Sequence, residues 1–392
     1  MFRFLHTADW QVGKPFRQIQ EGSKRAILQR ERIAMIHRIA GHAREHTVDA
    51  VMVAGDLFDS PTPTSSVLLE VLEAIGHMTV PVLIIPGNHD HGGAGSVWHR
   101  EDFRRHQPDL AANLQILLNR RPLELDQAVV LPCPLLRQRD SRDPTFWLHG
   151  VDWDKIPENK PRILLAHGGV QGFAARDYDS DDDDQGQALN CLDLNALPSG
   201  SIDYVALGDW HALMEVTPST WYPGTPEPDR FDRGEANQRS QILLVNVARG
   251  TPPEVNPLST GRLRWHNLTV SLNSSMDLAQ LEQQLQDCLG GRVARDLVSI
   301  EVEGSLNLAD QQRWEQLCTD LNNRLLRLRV KGTIQKTPDI GELRALIEQQ
   351  ENPLVARVAS QLQEKIDAEE TSELANLALV ELHRLINRIP ED

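Results

Sequence analysis

Cysteine is scarce in this chain. The four residues, Cys133, Cys191, Cys288 and Cys318, lie far apart and form no Cys-x-x-Cys pair. Neither a disulfide frame nor a zinc ribbon is suggested. Long apolar runs are missing too, and no stretch approaches the roughly 20 residues that a membrane-spanning helix needs. No secretory leader fits, because an apolar strand pattern begins at Phe2 and leads directly to a polar motif at Asp9. The expected compartment is the cytoplasm. Positive charge is also in deficit: 40 basic residues face 56 acidic ones, a formal net charge of −16. That weakens any expectation of affinity for nucleic acid, which Lys and Arg normally supply. The deficit is uneven, because residues 262–336 are nearly balanced while the segments on either side carry the acidic excess. Lys14, Arg17, Lys24, Arg25, Arg30 and Arg32 cluster against only Glu21 and Glu31, and Arg100, Arg104 and Arg105 form a second group. Of these, Lys14, Arg17, Arg25, Arg104 and Arg105 are candidates for contacting a nucleic-acid backbone. A solvated helix face explains them equally well.

What the chain does have is a series of short apolar runs, each closed by a polar motif. Phe2-Arg3-Phe4-Leu5-His6 leads to Asp9. Ala50-Val51-Met52-Val53-Ala54 ends in Gly55-Asp56-Leu57-Phe58-Asp59. Val80 to Ile85 ends in Pro86 and then Gly87-Asn88-His89-Asp90. Arg162 to Ala166 ends in His167-Gly168-Gly169, and Tyr204 to Leu207 ends in Gly208-Asp209-Trp210-His211. Continuous apolar runs of this length suit strands buried on both faces. Functional residues just beyond strand ends are the usual geography of layered α/β proteins.

The residue types in the series point to metal-assisted chemistry on phosphate esters. Carboxylate and amide oxygens with imidazole nitrogens hold divalent metals. Two such ions side by side lower the pKa of a shared water and clamp the attacking and leaving oxygens. Their ligands must come from several separated segments, since one loop cannot surround two ions. Taken singly, each residue has a plainer explanation. An Asp in a loop is usually a turn former or cap. Asn88 suits a left-handed turn after Gly87, and His167 a cap before two glycines. Their order, at five strand ends, reverses that preference. His6, His91 and His149 have no place in the series and are expected to be structural. Trp10, Trp210 and Trp221 are expected to pack around the site, with base stacking as the alternative.

On these residues the chain resembles the calcineurin-like metallophosphoesterases over its N-terminal two-thirds. Leu5-His6-Thr7-Ala8-Asp9-Trp10, Gly55-Asp56-Leu57-Phe58-Asp59 and Trp221-Tyr222-Pro223-Gly224-Thr225-Pro226 narrow the resemblance to SbcD-type and YhaO-like DNA repair nucleases. The resemblance implies an α/β fold: a two-sheet sandwich flanked by helices, with a small α/β capping domain and a C-terminal helical tail. It implies two divalent metal ions. Asp9 and His211 would hold the first, Asn88 and His167 the second, and Asp56 would bridge them. His89 would assist the leaving oxygen, oriented by the Asp59 carboxylate, a pairing that also raises imidazole basicity. DNA and an SbcC-like SMC-type ATPase are the partners it implies, and homodimers are common in the family.

The pattern departs from the family twice. Asp9-Trp10-Gln11 stands where Asp-x-His is usual, and Gly208-Asp209-Trp210-His211 where Gly-His-x-His is usual. Gln11 and Asp209 still carry oxygen, so both remain candidate ligands. The site they would make favours Mn²⁺, or Mg²⁺, over Zn²⁺. The rival is a site that has lost one metal.

The rest of the chain organises around this series. Ile33, Ile36, Ile39 and Ala40 form one helical stripe, and Val67, Leu68, Val71, Leu72 and Ile75 another, giving βαβ units. Residues 114–118, 128–131 and 241–247 read as further strands. Residues 1–261 are expected to form the catalytic domain. Residues 262–336 read as β-α-β-α-β, with Asp277 and Gln280 as a capping box, and match the capping domain of the family. Residues 337–392 read as three short helices that either fold back on their own domain or dock on a partner, and the resemblance implies docking on the ATPase. Asp339 with Glu342 opens the first. The later faces run through Leu354, Val358, Leu362 and Ile366, and through Leu374, Ala378, Leu382, Leu385 and Ile389. The acidic run 177–184 reads as a solvated loop, with metal capture or repulsion of DNA as alternatives. The expected function is a metal-dependent DNA nuclease subunit. Its rivals are a phosphatase or small-nucleotide phosphodiesterase on the same fold, and an adaptor without catalysis.

Overall fold

A computed structural model describes residues 1–171, 189–197, 200–231, 239–290, 295–336 and 353–366, with isolated positions between 344 and 382. The chain divides into two compact units, Met1–Leu263 and Arg264–Asp392. The acidic run 177–184 and the Asp339–Glu342 capping box lie outside the described residues.

In the first unit the strand runs become two six-stranded sheets. The central members of the first are β1 (Phe2–Thr7), β2 (Ala50–Ala54), β3 (Val82–Ile85) and β4 (Leu114–Ile116), mutually parallel. β11 (Gln241–Val247) and β12 (Glu254–Ser259) close it antiparallel, giving the order β12-β11-β1-β2-β3-β4. Pro257 sits in β12, the edge strand, where a missing N–H costs no ladder bond. The connecting helices are α1 (Gly22–Glu45), α2 (Ser65–Gly76) and α3 (Glu101–Leu110). Each crossover steps one strand in the same direction, so right-handed connections put all three helices on one face. The second sheet is built on β5 (Leu123–Glu124), β6 (Val129–Cys133), β7 (Arg162–His167), β8 (Tyr204–Gly208), β9 (Met214–Thr217) and β10 (Thr220–Tyr222). Its order is β5-β6-β7-β8-β10-β9.

The period of two along each strand sorts side chains into layers. Ala50, Met52 and Ala54 face the inter-sheet core with Phe4, Leu83, Ile85, Ile163, Leu165, Tyr204 and Ala206. Val51 and Val53 face the helix side with Met35, Ile36, Ile39, Leu68 and Leu72. Leu164, Ala166, Val205 and Leu207 cover the far side of the second sheet. This is why the runs are apolar without alternation: each strand is covered twice. His6 is fully buried, and its Nε2–H donates to the Leu207 carbonyl at 3.0 Å while Nδ1 lies 3.0 Å from the Tyr204 hydroxyl. A β1 side chain thus ties the first sheet to β8 of the second, the structural role expected for it.

The second unit holds a three-stranded parallel sheet of β13 (Arg264–Leu272), β14 (Asp296–Leu306) and β15 (Arg327–Lys336), with β14 in the middle. The helices α4 (Ser275–Leu289) and α5 (Leu308–Arg324) connect them. Leu278, Leu281, Leu285, Trp314 and Leu321 pack against Val298, Ile300 and Val302. The cap of α4 corrects the sequence expectation. Ser274, not Asp277, is the N-cap: its hydroxyl accepts from the Asp277 N–H at 3.3 Å, and Asp277 Oδ2 accepts from the Asn273 N–H at 2.9 Å. The helix therefore starts one turn earlier than the Asp277–Gln280 pair suggests. A later helix, α6 (Pro353–Ile366), also differs from expectation. Its packed face is Val355, Ala359, Leu362 and Ile366, gathered with Leu379 and Leu382. Leu354 and Leu374, read as members of the apolar faces, are 72% and 73% exposed. Ala359 and Ala375 are buried there.

Candidate metal centre

Four of the candidate ligands hold backbone conformations that L-residues rarely adopt. Asp9, Gln11, Asp56 and Asp209 have φ of 55°, 41°, 56° and 100°. Such residues persist only where the surroundings over-determine them, and they concentrate at functional sites. Here the over-determination is visible. The first loop is stitched to the second by Asp9 N–H to the Gly55 carbonyl (3.1 Å), Gln11 N–H to Asp56 (2.9 Å), Val12 N–H to Leu57 (2.9 Å) and Asp59 N–H to Val12 (3.0 Å). The Asp209 N–H donates to the Asp9 carboxylate at 3.2 Å. Asp56 Oδ1 accepts the His89 N–H at 2.9 Å. Gly87 must be glycine for this approach, since a Cβ there would lie 2.1 Å from Asp56 Oδ1.

Around this scaffold Asp9, Asp56 and His167 bring their ligand atoms within 4.8 Å of one another, all buried. His167 Nδ1–H donates to the Ala54 carbonyl at 2.7 Å, which fixes the tautomer and turns Nε2 into the site. There Nε2 meets Asn88 Oδ1 at 2.9 Å, Asp56 Oδ2 at 3.6 Å and Asp209 Oδ1 at 3.6 Å. Three side-chain oxygens thus converge on one imidazole nitrogen. A proton or a cation must sit between. Burial disfavours protonation of His167, yet Asp56, Asp209 and Asp9 outweigh it and push the imidazole pKa up to about 9. Asp9 is pushed up to about 6, first by burial, with His211 and His167 opposing. The donor set fits a divalent metal: Asp9, Asp56, Asn88, His167 and Asp209 would hold it, with oxygen in the majority.

His211 stands on the Asp9 side of the cluster. Gln11 Oε1 accepts from Lys14 Nζ at 2.9 Å, and the Gln11 amide nitrogen lies 3.3 Å from His211 Nε2. Gln11 thus sits beside His211 at the edge of the cluster. Lys14 is likewise not a free basic group. Its Nζ lies 2.6 Å from Asp229 Oδ2 and 3.4 Å from Asp59 Oδ1. Lys14 thus stands within the site's frame of charges. Arg32 is buried too: it donates to the Trp10 carbonyl, lies 3.8 Å from Asp229 and stacks over Phe16 at 5.7 Å. Arg17, Arg104 and Arg105 are exposed, and Arg25 is partly so, with a 3.4 Å bond to the Ile19 carbonyl.

A correction concerns His89. Its Nδ1 donates to the main-chain carbonyl of Asp59 at 2.9 Å, not to the Asp59 carboxylate, which instead faces Lys14. The orientation expected from a carboxylate comes from the backbone, leaving Nε2 as the nitrogen able to carry a proton to or from substrate.

Two acidic residues were missed from the sequence. Asp90 is fully buried. It accepts from the Gly87 N–H at 2.8 Å and the Phe58 N–H at 3.2 Å, binding the third loop to the second, and burial pushes its carboxyl up to about 7. Its place directly after His89 was the available signal. Asp229 lies 3.7 Å from His211 Nδ1 and is fully enclosed. Burial alone would raise its carboxyl; Lys14, then His211 and Arg32, overcome that and hold it well below the usual carboxylate range. The signal was faint, an Asp following Pro226-Glu227-Pro228. Thr225 secures the same loop, donating to the Asp9 carbonyl at 3.1 Å. Trp10 packs inside, with Nε1 on Thr7 Oγ1 at 2.9 Å.

Comparison with known proteins agrees with the geometry. The chain is 25% identical over 319 residues to the SbcD component of the SbcCD nuclease of Escherichia coli (strain K12), covering 72% of this chain and 73% of that one. It is 27% identical over 270 residues to "DNA double-strand break repair protein Mre11" of Methanosarcina acetivorans, covering 65% of this chain and 39% of that longer protein. Residues 2–213, which carry every strand-end motif of the site, match the family model described as calcineurin-like phosphoesterase, and the chain belongs to that family.

Proposed function

We propose that the protein is a two-metal phosphodiesterase that cleaves DNA, working as the nuclease subunit of a complex with an SMC-like ATPase. The convergence of Asp9, Asp56 and His167 ligand atoms within 4.8 Å, with Asn88 and Asp209 oxygens beside His167 Nε2, carries the metal reading. The two relatives named for a nuclease and for DNA double-strand break repair support the substrate. When bound, divalent metals supply Lewis-acid stabilisation of the phosphate and an activated water. Oxygen donors favour Mn²⁺, with Mg²⁺ as the alternative.

The chain's own residues do the rest. Asp56 shares the cluster with Asp9 and His167 and accepts the His89 N–H, so one carboxylate couples the metal cluster to the proton-transfer group. His89, fixed by its Nδ1–H on the Asp59 carbonyl, turns Nε2 toward substrate as the nitrogen through which a proton passes to the leaving oxygen. His211 returns to the Asp9 side, oriented by Asp229 and Gln11. Arg17, Arg25, Arg104 and Arg105 contribute backbone contacts to DNA, the exposed ones foremost. Much of the affinity comes from the partner, which accounts for a net charge of −16. Residues 262–336 act as the capping domain, and the C-terminal helices dock on the ATPase with Leu354 and Leu374 in the contact. The protein acts in the cytoplasm.

The test is hydrolysis of linear DNA and of a small phosphodiester with Mn²⁺, for the wild type and for His89→Ala. DNA cleavage by the wild type, lost in the variant while metal stays bound, is expected. Cleavage of the small ester alone would replace DNA with a small substrate. Cleavage of neither, with both partners present, would leave an adaptor.

A further inference from the structure

The last turn of α1 carries a second set of metal-type side chains, far in sequence from any strand-end motif. His42, Glu45 and His46 offer ligand atoms that all lie within 4.8 Å of one another. The spacing makes this natural, because residues three and four apart share one face of a helix. His46 is the C-cap, with φ −91° and ψ 1°, and its N–H still donates to the His42 carbonyl at 3.0 Å, so the i and i+4 imidazoles stay aligned. Their rings stack at 6.0 Å between centroids.

The tautomer of His42 is settled by its other nitrogen. Nε2 lies 3.0 Å from the Ser259 carbonyl, which can only accept, so Nε2 carries the hydrogen. Nδ1 therefore presents a lone pair. It is shielded from solvent and has no hydrogen-bond partner among the described residues. The nearest charged oxygen is Glu45 Oε2 at 3.8 Å, itself an acceptor. A buried lone pair with only an acceptor beside it is costly unless a cation or proton lies between. An imidazole that donates one nitrogen to a backbone carbonyl and offers the other is the usual arrangement of a metal-ligating histidine. The carbonyl end of a helix also favours positive charge. Arg3 opposes this, since its guanidinium donates to the His46 carbonyl at 3.2 Å and brings a positive charge close. That limits the affinity.

We infer that His42, Glu45 and His46 form a binding site for a first-row divalent cation of the zinc class, separate from the catalytic cluster. Two imidazoles and one carboxylate leave a fourth position for water, a set suited to Zn²⁺ more than to Mn²⁺ or Mg²⁺. Through the Ser259 carbonyl, a cation there braces the end of α1 against the end of β12. Arg38 makes the same connection one turn earlier by donating to the Thr260 carbonyl at 2.5 Å.

The test is Zn²⁺ binding by equilibrium dialysis, with thermal unfolding, for the full chain, His46→Ala and Glu45→Gln. The wild type is expected to bind one Zn²⁺ equivalent more than His46→Ala, and Zn²⁺ is expected to raise its Tm more than that of the variant. Glu45 is 70% exposed, so Glu45→Gln leaves folding intact and is expected to weaken the same equivalent at least ~10-fold. Equal stoichiometry and equal Zn²⁺-induced Tm shifts across the three proteins would overturn the site. A difference confined to His46→Ala with altered circular dichroism, and none for Glu45→Gln, would also overturn it. This test does not depend on the proposed nuclease activity.

Discussion

His89 Nδ1 sits 2.9 Å from the main-chain carbonyl of Asp59, while the Asp59 carboxylate faces Lys14 at 3.4 Å. The group that orients the imidazole is therefore one that no side-chain substitution at position 59 removes. Asp59→Ala is expected to lower kcat by less than about tenfold, in line with the small worth of a partly exposed ion pair. His89→Ala is expected to cost roughly 10²–10⁴-fold, the range of a positioned general acid. Steady-state kinetics on a phosphodiester decides it. A loss in Asp59→Ala as large as in His89→Ala would mean that the carboxylate, not the carbonyl, does the orienting.

Asp229 is the buried carboxylate that gathers Lys14, His211 and Arg32. Asp229→Asn is expected to weaken metal binding by roughly 10- to 100-fold, the usual effect of losing a partner that orients a ligand. Lys14→Met is expected to act in the same direction and equally on DNA and on a small phosphodiester. Metal titration with kinetics on both substrates tests this. If Lys14→Met impaired DNA cleavage alone, Lys14 would be a nucleic-acid contact after all.

Arg104 and Arg105 are exposed on α3 and are the better candidates for binding phosphate. Replacing both with Ala is expected to leave small-ester hydrolysis unchanged and to weaken DNA binding. The slope of log K against log salt is expected to fall by roughly 0.7–0.9 for each phosphate no longer neutralised. An unchanged slope would assign both residues to an ordinary solvated face.

His6 gives a pH signature. Its pKa falls from 6.5 to about 3, chiefly through burial, so the folded state binds fewer protons than the unfolded chain between those values. Its contribution to stability is full above pH 6.5 and is lost progressively as pH falls toward 3. Asp9 and Asp90, whose carboxyls are raised to about 6 and about 7, act in the opposite sense, so the total curve mixes these effects. The measurement is the difference in unfolding free energy between wild type and His6→Asn from pH 7.5 to 4.5. That difference is expected to shrink as pH falls. A constant difference would show that His6 is not held neutral between the sheets.

The strand framework was legible from sequence because its signal is local. Ala50–Ala54 and Gln241–Val247 have the bounds the apolar runs imply. Each run is closed by a residue that ends a strand, so the order Asp9, Asp56, Asn88, His167 and Asp209 was readable along the chain. The inner faces of the C-terminal helices were not. Leu354 and Leu374 lie exposed while Ala359 and Ala375 are buried, because what covers a helix face is set by its neighbours in space rather than by residue type.

The sequence by itself determined the family, the succession of strand ends and the donor types, because these depend on residue identity and short spacing. Only the tertiary structure decided what each donor does. Gln11 gives its oxygen to Lys14, and Lys14 turns inward because Asp229, more than two hundred residues away along the chain, offers a buried charge. The Asp59 carboxylate yielded to its own carbonyl because backbone stitching between Val12 and Asp59 fixes that carbonyl beside His89. Hydrogen bonds and buried charges choose partners by distance in space, and that distance is set by the sheets rather than by the spacing of letters.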